Sequence, residues 1–302
     1  MKRDFLRLRD FSSEEIDHLL KRALELKSGK DSNKCPLIGR NIGLIFEKAS
    51  TRTRVSFEVG IYQLGANSIY LNPKEIQLGR GETIHDTAKT LSRYLDAIVI
   101  RTFSHNTLID FASSSSIPVI NGLSDLLHPC QALGDMMTVL EKKGKLKGIN
   151  LSYIGDGNNV ANSLIEASSM MGINLKIACP KGFEPDTEVL KEQKASAKSE
   201  IKIVRDIKDA AMGADVLYTD VWISMGQEKE EKQKKKKFKA YQLNSKILSY
   251  AKKDAIVLHC LPAHRGEEIT DDVIDSPQSA VFDQAENRLH TQKALLEFLL
   301  SP

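Results

Sequence analysis

Ser50-Thr51-Arg52-Thr53-Arg54 follows a short apolar run, Ile42–Phe46, and leads into the helically spaced residues Val55, Val59 and Tyr62. Hydroxyl and guanidinium side chains at a strand-to-helix junction suit a phosphate-like dianion. The N–H groups of a helix's first turn lack partners within the helix and carry partial positive charge, Ser and Thr add donors, and Arg pairs oxygens two at a time. A charge-assisted bond of this kind contributes roughly 1.5–3 kcal/mol, so several hold a small dianion without a metal.

Further polar clusters follow other apolar runs. Arg101-Thr102 adds a cation that reads either as anion binding or as a solvated surface arginine, and Arg54 either joins the anion or braces the site from behind. His128-Pro129-Cys130-Gln131 precedes a helical stretch; as a pair, His128 and Gln131 can donate to a carbonyl oxygen and accept from an amide nitrogen, which suits a carbamoyl group. Gly155-Asp156-Gly157-Asn158-Asn159-Val160 resembles the start of a dinucleotide fingerprint, but Val160 replaces its third glycine and the next strand ends in Cys179-Pro180 without a ribose-binding acid. No nicotinamide cofactor is expected, and the turn would instead present Asn159 to a polar substrate. Asp220 either caps a helix or, at a strand end, pairs with an ammonium group. His259-Cys260-Leu261-Pro262 raises the possibilities of a metal site or a Cys nucleophile. Alternation along a strand would put His259 and Cys260 on opposite faces, so no metal is expected and Cys260 reads as a hydrogen-bonding thiol. Ser224-Met225-Gly226 leads into a Glu/Lys-rich stretch read as a solvated helix face or loop without chemistry, and Asn287-Arg288 completes the set.

The elements that position these clusters are short β-type runs alternating with helices: Asn41–Phe46, Ser68–Tyr70, Ala97–Ile100, Val119–Asn121, Leu151–Ile154, Leu175–Ala178, Val216–Thr219, Ile256–Leu258 and Ala280–Phe282. Most are continuously apolar, the pattern of strands buried on both faces of parallel sheets. Leu133, Met136, Met137 and Leu140 are helically spaced and predict an interdomain helix over Cys130–Lys147, closed by Lys142-Lys143-Gly144. The expected fold is α/β, two doubly wound parallel-sheet domains joined by that helix. The domains are 1–135 and 148–285, with a C-terminal helix, 286–302, packing back on the first. Ser12 and Glu15 are spaced as a capping box opening a helix through Leu26. Ligands of open parallel sheets collect beyond the C-terminal strand ends, where these clusters lie, so convergence on one cleft is expected.

The 302 residues are 41% hydrophobic, enough for ample core, and the net charge of +3 gives no support to nucleic-acid or membrane binding. No apolar run approaches the ~20 residues of a membrane span, and the basic N-terminus resembles neither a secretory signal nor a transit peptide. Four cysteines without a C-x-x-C pair do not form a disulfide framework. A soluble, cytoplasmic protein is expected.

Three motifs in register, Ser50–Arg54, His128–Gln131 and His259–Pro262, resemble the aspartate/ornithine carbamoyltransferase family; Asp220–Gly226 and the Cys at 260 resemble its ornithine branch. The resemblance implies transfer of the carbamoyl group of carbamoyl phosphate to the δ-amine of L-ornithine, giving L-citrulline and phosphate in arginine metabolism. It also implies trimers with active sites shared between subunits. By matching motif, Ser50, Thr51, Arg52, Thr53 and Arg101 would bind phosphate, and His128, Pro129, Cys130 and Gln131 the carbamoyl end. Gln77 would come from a neighbouring subunit, Asn159, Asp220, Ser224 and Met225 would hold ornithine, and Cys260, Leu261 and Arg288 would complete the carbamoyl end. Arg101, His128, Asp220 and Cys260 carry the expected catalytic roles. Arg52, Arg101 and His128 would disfavour a second cation and so keep the attacking amine neutral, while Arg101, His128 and Thr53 stabilise the oxyanion. Asp220, with Cys260, would orient the α-ammonium, and ordering of 224–226 would exclude water.

Overall fold

The computed structural model describes residues 2–31, 34–75, 81–196, 199–223 and 231–301. The chain forms two compact units, Met1–Gly134 with Glu286–Pro302, and Asp135–Ala285. Their boundaries fall inside two helices, α5 (Pro129–Lys143) and α12 (Val281–Leu300).

In the first unit, helix α1 (Ser13–Lys27) starts at the expected capping box. The Glu15 N–H donates to Ser12 Oγ at 3.2 Å and the Ser12 N–H to Glu15 Oε2 at 2.8 Å. Strands β1 (Asn41–Phe46), β2 (Asn67–Leu71), β3 (Ala97–Arg101) and β4 (Val119–Leu123) form a parallel sheet in the order β2-β1-β3-β4. Its inner strands are buried almost throughout, whereas edge strand β2 is half exposed. Helices α2 (Thr51–Gln63), α3 (Ile84–Leu91) and α4 (His105–Ser114) make the crossovers. Because the chain leaves β1 toward β2 and returns on the other side as β3, the C-terminal ends of β1 and β3 form a switch point, where Phe46 lies opposite Arg101. The spacing of Val55, Val59 and Tyr62 marks the outer face of α2, where all three are exposed; Thr53, Phe57, Gly60 and Ile61 face inward. Gly60 is what lets α12 come close, since a Cβ there would lie 3.2–3.3 Å from Lys293 and Leu289.

In the second unit, β5 (Asn150–Ile154), β6 (Asn174–Ala178), β7 (Ile201–Val204), β8 (Val216–Thr219) and β9 (Ile256–His259) pair in parallel in the order β7-β6-β5-β8-β9. Helices α6 (Asn159–Met171), α7 (Thr187–Ser196), α8 (Ile207–Ala211), α9 (Glu231–Phe238), α10 (Ser245–Leu248) and α11 (Asp271–Ile274) surround it. The switch point here lies between β5 and β8.

Three sequence expectations change. Ala280–Phe282 is not a strand: Val257 forms only an isolated bridge with Ser279, and Val281 and Phe282 open α12. Ala280 and Val281 are buried where the helix begins while Phe282 is exposed, and three apolar residues cannot distinguish a helix start from a strand. Edge strand β7 was not expected, because exposed Lys202 interrupts its apolar run. The Lys-rich stretch forms α9 and is not wholly solvated, since Lys234 and Phe238 are buried. Helix α5 ends as expected, with Gly144 at φ +70° donating to the Leu140 carbonyl at 2.8 Å.

Candidate functional site

Each unit gathers a polar cluster at its own switch point. In the first, Ser50 caps α2: its Oγ accepts from the Thr53 N–H at 3.1 Å, orienting the turn that carries Thr51 and Arg52. Arg101, the last residue of β3, is 8% exposed, and Arg288 enters from α12 at 3%. Arg288 donates from Nη1 to Gln131 Oε1 at 3.0 Å and from Nη2 to Thr53 Oγ1 at 2.8 Å, so one guanidinium ties together the starts of α2 and α5. Gly134 gives it room, since a Cβ there would sit 3.0 Å from Arg288 Cγ. Buried Lys48 pairs with Asp125 and lies over the Phe103 ring, and Glu47 accepts from the Thr102 hydroxyl, which braces the connection from β1 to α2.

His128 is buried beside these cations, and its pKa falls well below 6.5, chiefly through desolvation and then through Arg288 and Arg101. The lowered pKa favours the neutral imidazole at pH 7, which changes the expectation that His128 adds positive charge. Pro129 occupies the first position of α5, where its missing N–H costs nothing. Cys130 is fully buried with its thiol donating to the Asn121 carbonyl at 3.3 Å, and burial raises its pKa to about 12. Arg54 turns aside to Glu58 at 2.9 Å and stacks 3.7 Å from the Tyr70 ring centroid.

In the second unit, Asn158 spans the switch point. Its Oδ1 caps α6, accepting from the Val160 and Ala161 N–H groups at 2.9 and 3.2 Å, and its Nδ2 donates to Asp220 Oδ2 at 2.8 Å. The other Asp220 oxygen accepts the Cys260 thiol at 3.0 Å. Asp220 is thus held through both oxygens at the end of β8, 5% exposed. The Leu261 N–H donates to His259 Nδ1 at 2.8 Å, which assigns the ring proton to Nε2, 3.1 Å from Glu268 Oε1. Both partners are fully buried, and together they hold Leu261 at φ +55°, a left-handed conformation. Strand β9 ends at His259, so strand alternation no longer separates it from Cys260: ligand atoms of Asp220, His259 and Cys260 lie within 4.8 Å of one another. Both His259 nitrogens are already engaged, so a metal would have to displace a partner there. Asp156, in the turn after β5, accepts from Lys234 at 2.6 Å; burial raises its pKa while Lys234 opposes the shift.

The structure therefore places Ser50, Thr51, Arg52, Thr53, Arg101, His128, Gln131 and Arg288 together in the first unit, and Asp220, Cys260 and Leu261 with Asn159 in the second. Gln77, Ser224 and Met225 lie outside the described residues. Asn159 begins α6, and the residue that reaches Asp220 is Asn158, which its place before a helix could have signalled, because Asn is a favoured N-cap. Asp156, Lys234 and Glu268 had no comparable local signal.

Residues 3–141 match the family model described as the aspartate/ornithine carbamoyltransferase carbamoyl-P binding domain, and residues 147–299 match the Asp/Orn binding domain of the same family. An ornithine carbamoyltransferase of Syntrophus aciditrophicus is 51% identical over 302 residues, covering 99% of this chain and 100% of that protein. A catabolic ornithine carbamoyltransferase of Thermoplasma volcanium is 52% identical, covering 99% of each chain. The solved ornithine carbamoyltransferase of Pyrococcus furiosus superposes with a TM-score of 0.94 at 50% identity, over 99% of this chain and 97% of that one. Both domain models match in order, and half the residues are shared with relatives of the same length, so this chain belongs to the aspartate/ornithine carbamoyltransferase family.

Proposed function

We propose that the protein is an ornithine carbamoyltransferase that transfers the carbamoyl group of carbamoyl phosphate to the δ-amine of L-ornithine, releasing L-citrulline and phosphate. The observation that carries the acceptor assignment is Asp220, a strand-end carboxylate held by Asn158 and the Cys260 thiol. A fixed carboxylate attracts the α-ammonium of ornithine and repels the additional carboxylate of aspartate. Capped helix α2, with Arg52, Arg101 and Arg288, suits the dianionic phosphate.

The attacking amine must be neutral, whereas an alkyl ammonium has a pKa of ~10. Nearby guanidinium groups favour the deprotonated amine and need no help from His128, whose neutral imidazole donates to the carbonyl oxygen as negative charge grows there. The new C–N bond forms as the C–O bond to phosphate breaks; phosphate leaves with that electron pair, and the surplus amine proton passes to phosphate or solvent. Rate comes from positioning and electrostatics, without a covalent intermediate. Ser50, Thr51, Thr53 and Gln131 complete the donor side and Leu261 the acceptor side, with Ser224, Met225 and a neighbouring subunit's Gln77 as further contributors.

The finer reading is a cytoplasmic homotrimer acting in arginine biosynthesis. Exposed Val55, Val59 and Tyr62, on one face of α2, support self-association. The four cysteines, none of them joined in a disulfide, suit a reducing compartment. The synthetic direction is favoured by the high transfer potential of a carbamic–phosphoric anhydride.

The test offers carbamoyl phosphate with ornithine, putrescine, aspartate and N-acetylornithine in parallel. Citrulline from ornithine, far ahead of the other products, is expected; activity with aspartate alone, or with none, overturns the reading.

A further inference from the structure

Lys234 sits in the middle of a lysine-rich helix, yet unlike its exposed neighbours Lys232, Lys236 and Lys237 it is only 6% exposed. Its ammonium donates to Asp156 Oδ2 at 2.6 Å and lies 5.4 and 5.8 Å from the ring centroids of Phe183 and Phe238. Asp156 belongs to the tight turn after β5. Its carbonyl accepts from the Tyr153 hydroxyl at 2.9 Å and from the Asn158 N–H at 2.7 Å, so its placement sets that of Asn158. Asn158 in turn donates to Asp220, whose second oxygen holds the Cys260 thiol. An unbroken line of short polar contacts therefore runs from α9 to the carboxylate assigned to the acceptor.

Stability alone does not explain this pair. Burying two charges costs several kcal/mol per ion before their attraction compensates, and apolar replacements of similar volume are often neutral or stabilising. The surroundings of Lys234 are already aromatic, so an apolar side chain would fit. What the ion pair adds is register and charge balance. Asp156 and Asp220 are carboxylates near enough for Asp220 to raise the Asp156 pKa, and Lys234 offsets the Asp156 charge.

We propose that Lys234 is a positioning residue for the acceptor: bound to Asp156, it holds the Gly155–Asn158 turn so that Asn158 fixes Asp220, and it leaves the Asp220 charge available to an α-ammonium. The inference rests on the acceptor assignment made above. It gives a buried lysine of the charge-rich run a role that neither domain-level similarity nor local sequence assigns.

The test compares wild type with Lys234→Met, Lys234→Arg and the double variant Lys234→Met/Asp156→Asn, which leaves no unpaired buried carboxylate. Steady-state kinetics are measured for each substrate, together with inhibition by L-2-aminopentanoate, which has the α-ammonium and carboxylate but no δ-amine. Lys234→Met should raise the ornithine KM and the inhibitor constant by about tenfold to a hundredfold, the worth of one charge-assisted bond. The carbamoyl phosphate KM should stay within about twofold, since uniform binding is lost only at the acceptor end. Lys234→Arg, which keeps the charge, should recover to within about threefold of wild type. The double variant should melt like wild type and retain the raised ornithine KM. Equal shifts for both substrates, an unchanged inhibitor constant, or no recovery with arginine would overturn the inference. A wild type that makes no citrulline would overturn the acceptor assignment and this inference with it, whereas an active wild type matched by Lys234→Met would overturn the inference alone.

Discussion

His128 and Arg288 show how two basic side chains take different charge states in one cluster. A guanidinium stays charged when buried, whereas an imidazole beside two guanidinium groups gives up its proton. His128→Asn should lower kcat/KM by about 10²- to 10³-fold, the usual loss for one oxyanion donor. It should also alter the pH dependence of stability. The folded-state pKa of His128 lies below its unfolded value of ~6.5, so the unfolded chain binds the proton first as pH falls. The stabilisation is complete above that pH and is lost as pH drops toward the lowered pKa. Urea midpoints at about pH 7.5 and about pH 5 should therefore differ less in His128→Asn than in wild type. Arg288→Met removes the bonds to Gln131 and Thr53 and should raise the carbamoyl phosphate KM by about tenfold to a hundredfold. Arg288→Lys should recover only part, since a single ammonium does not reproduce the planar fork.

Helix starts and tight turns carry the clustered polar groups in both units. Ser50 caps α2 and is proposed to bind the anion, so Ser50→Ala should cost about 1 kcal/mol of stability and weaken carbamoyl phosphate binding, readable by thermal denaturation with and without that ligand. Gly157 has a steric reason to be glycine, because a Cβ there would overlap the backbone of Glu184 and Pro185 in the connection from β6 to α7. Gly157→Ala should cost about 1–3 kcal/mol, as overpacking does, and should raise the ornithine KM by displacing Asn158. These elements were legible where their signals are local: the Ser12–Glu15 box, the Ser50 turn, and the apolar runs of β1, β3 and β5. Strand β7 was hidden by Lys202 because an edge strand need bury only part of its surface, and Ala280–Phe282 resembled a strand because helix and strand periods cannot be separated over three residues.

Across the whole molecule, each unit builds its polar cluster by one rule, a parallel sheet whose connections diverge from adjacent strand ends: β1 and β3 in one, β5 and β8 in the other. Among the described residues no helix is long and apolar enough to cross a membrane. The apolar outer face of α2 predicts an association surface. Val55→Lys/Tyr62→Glu should therefore shift sedimentation velocity from an oligomer to a monomer, leaving each unit's fold intact because neither side chain is in the core. A wild type that sediments as a monomer would refute the proposed assembly.

By itself the sequence determined which residue types follow which strands and where helices begin, because caps, turns and apolar runs depend on neighbours within a few positions. Only the tertiary structure decided how those residues act. It brought Arg288 to Thr53 and Gln131 across 235 and 157 positions, joined Lys234 to Asp156 across 78, and kept the His128 imidazole neutral. Burial and long-range hydrogen bonds set charge state and orientation, and both arise from packing between segments whose separation along the chain carries no periodic signal.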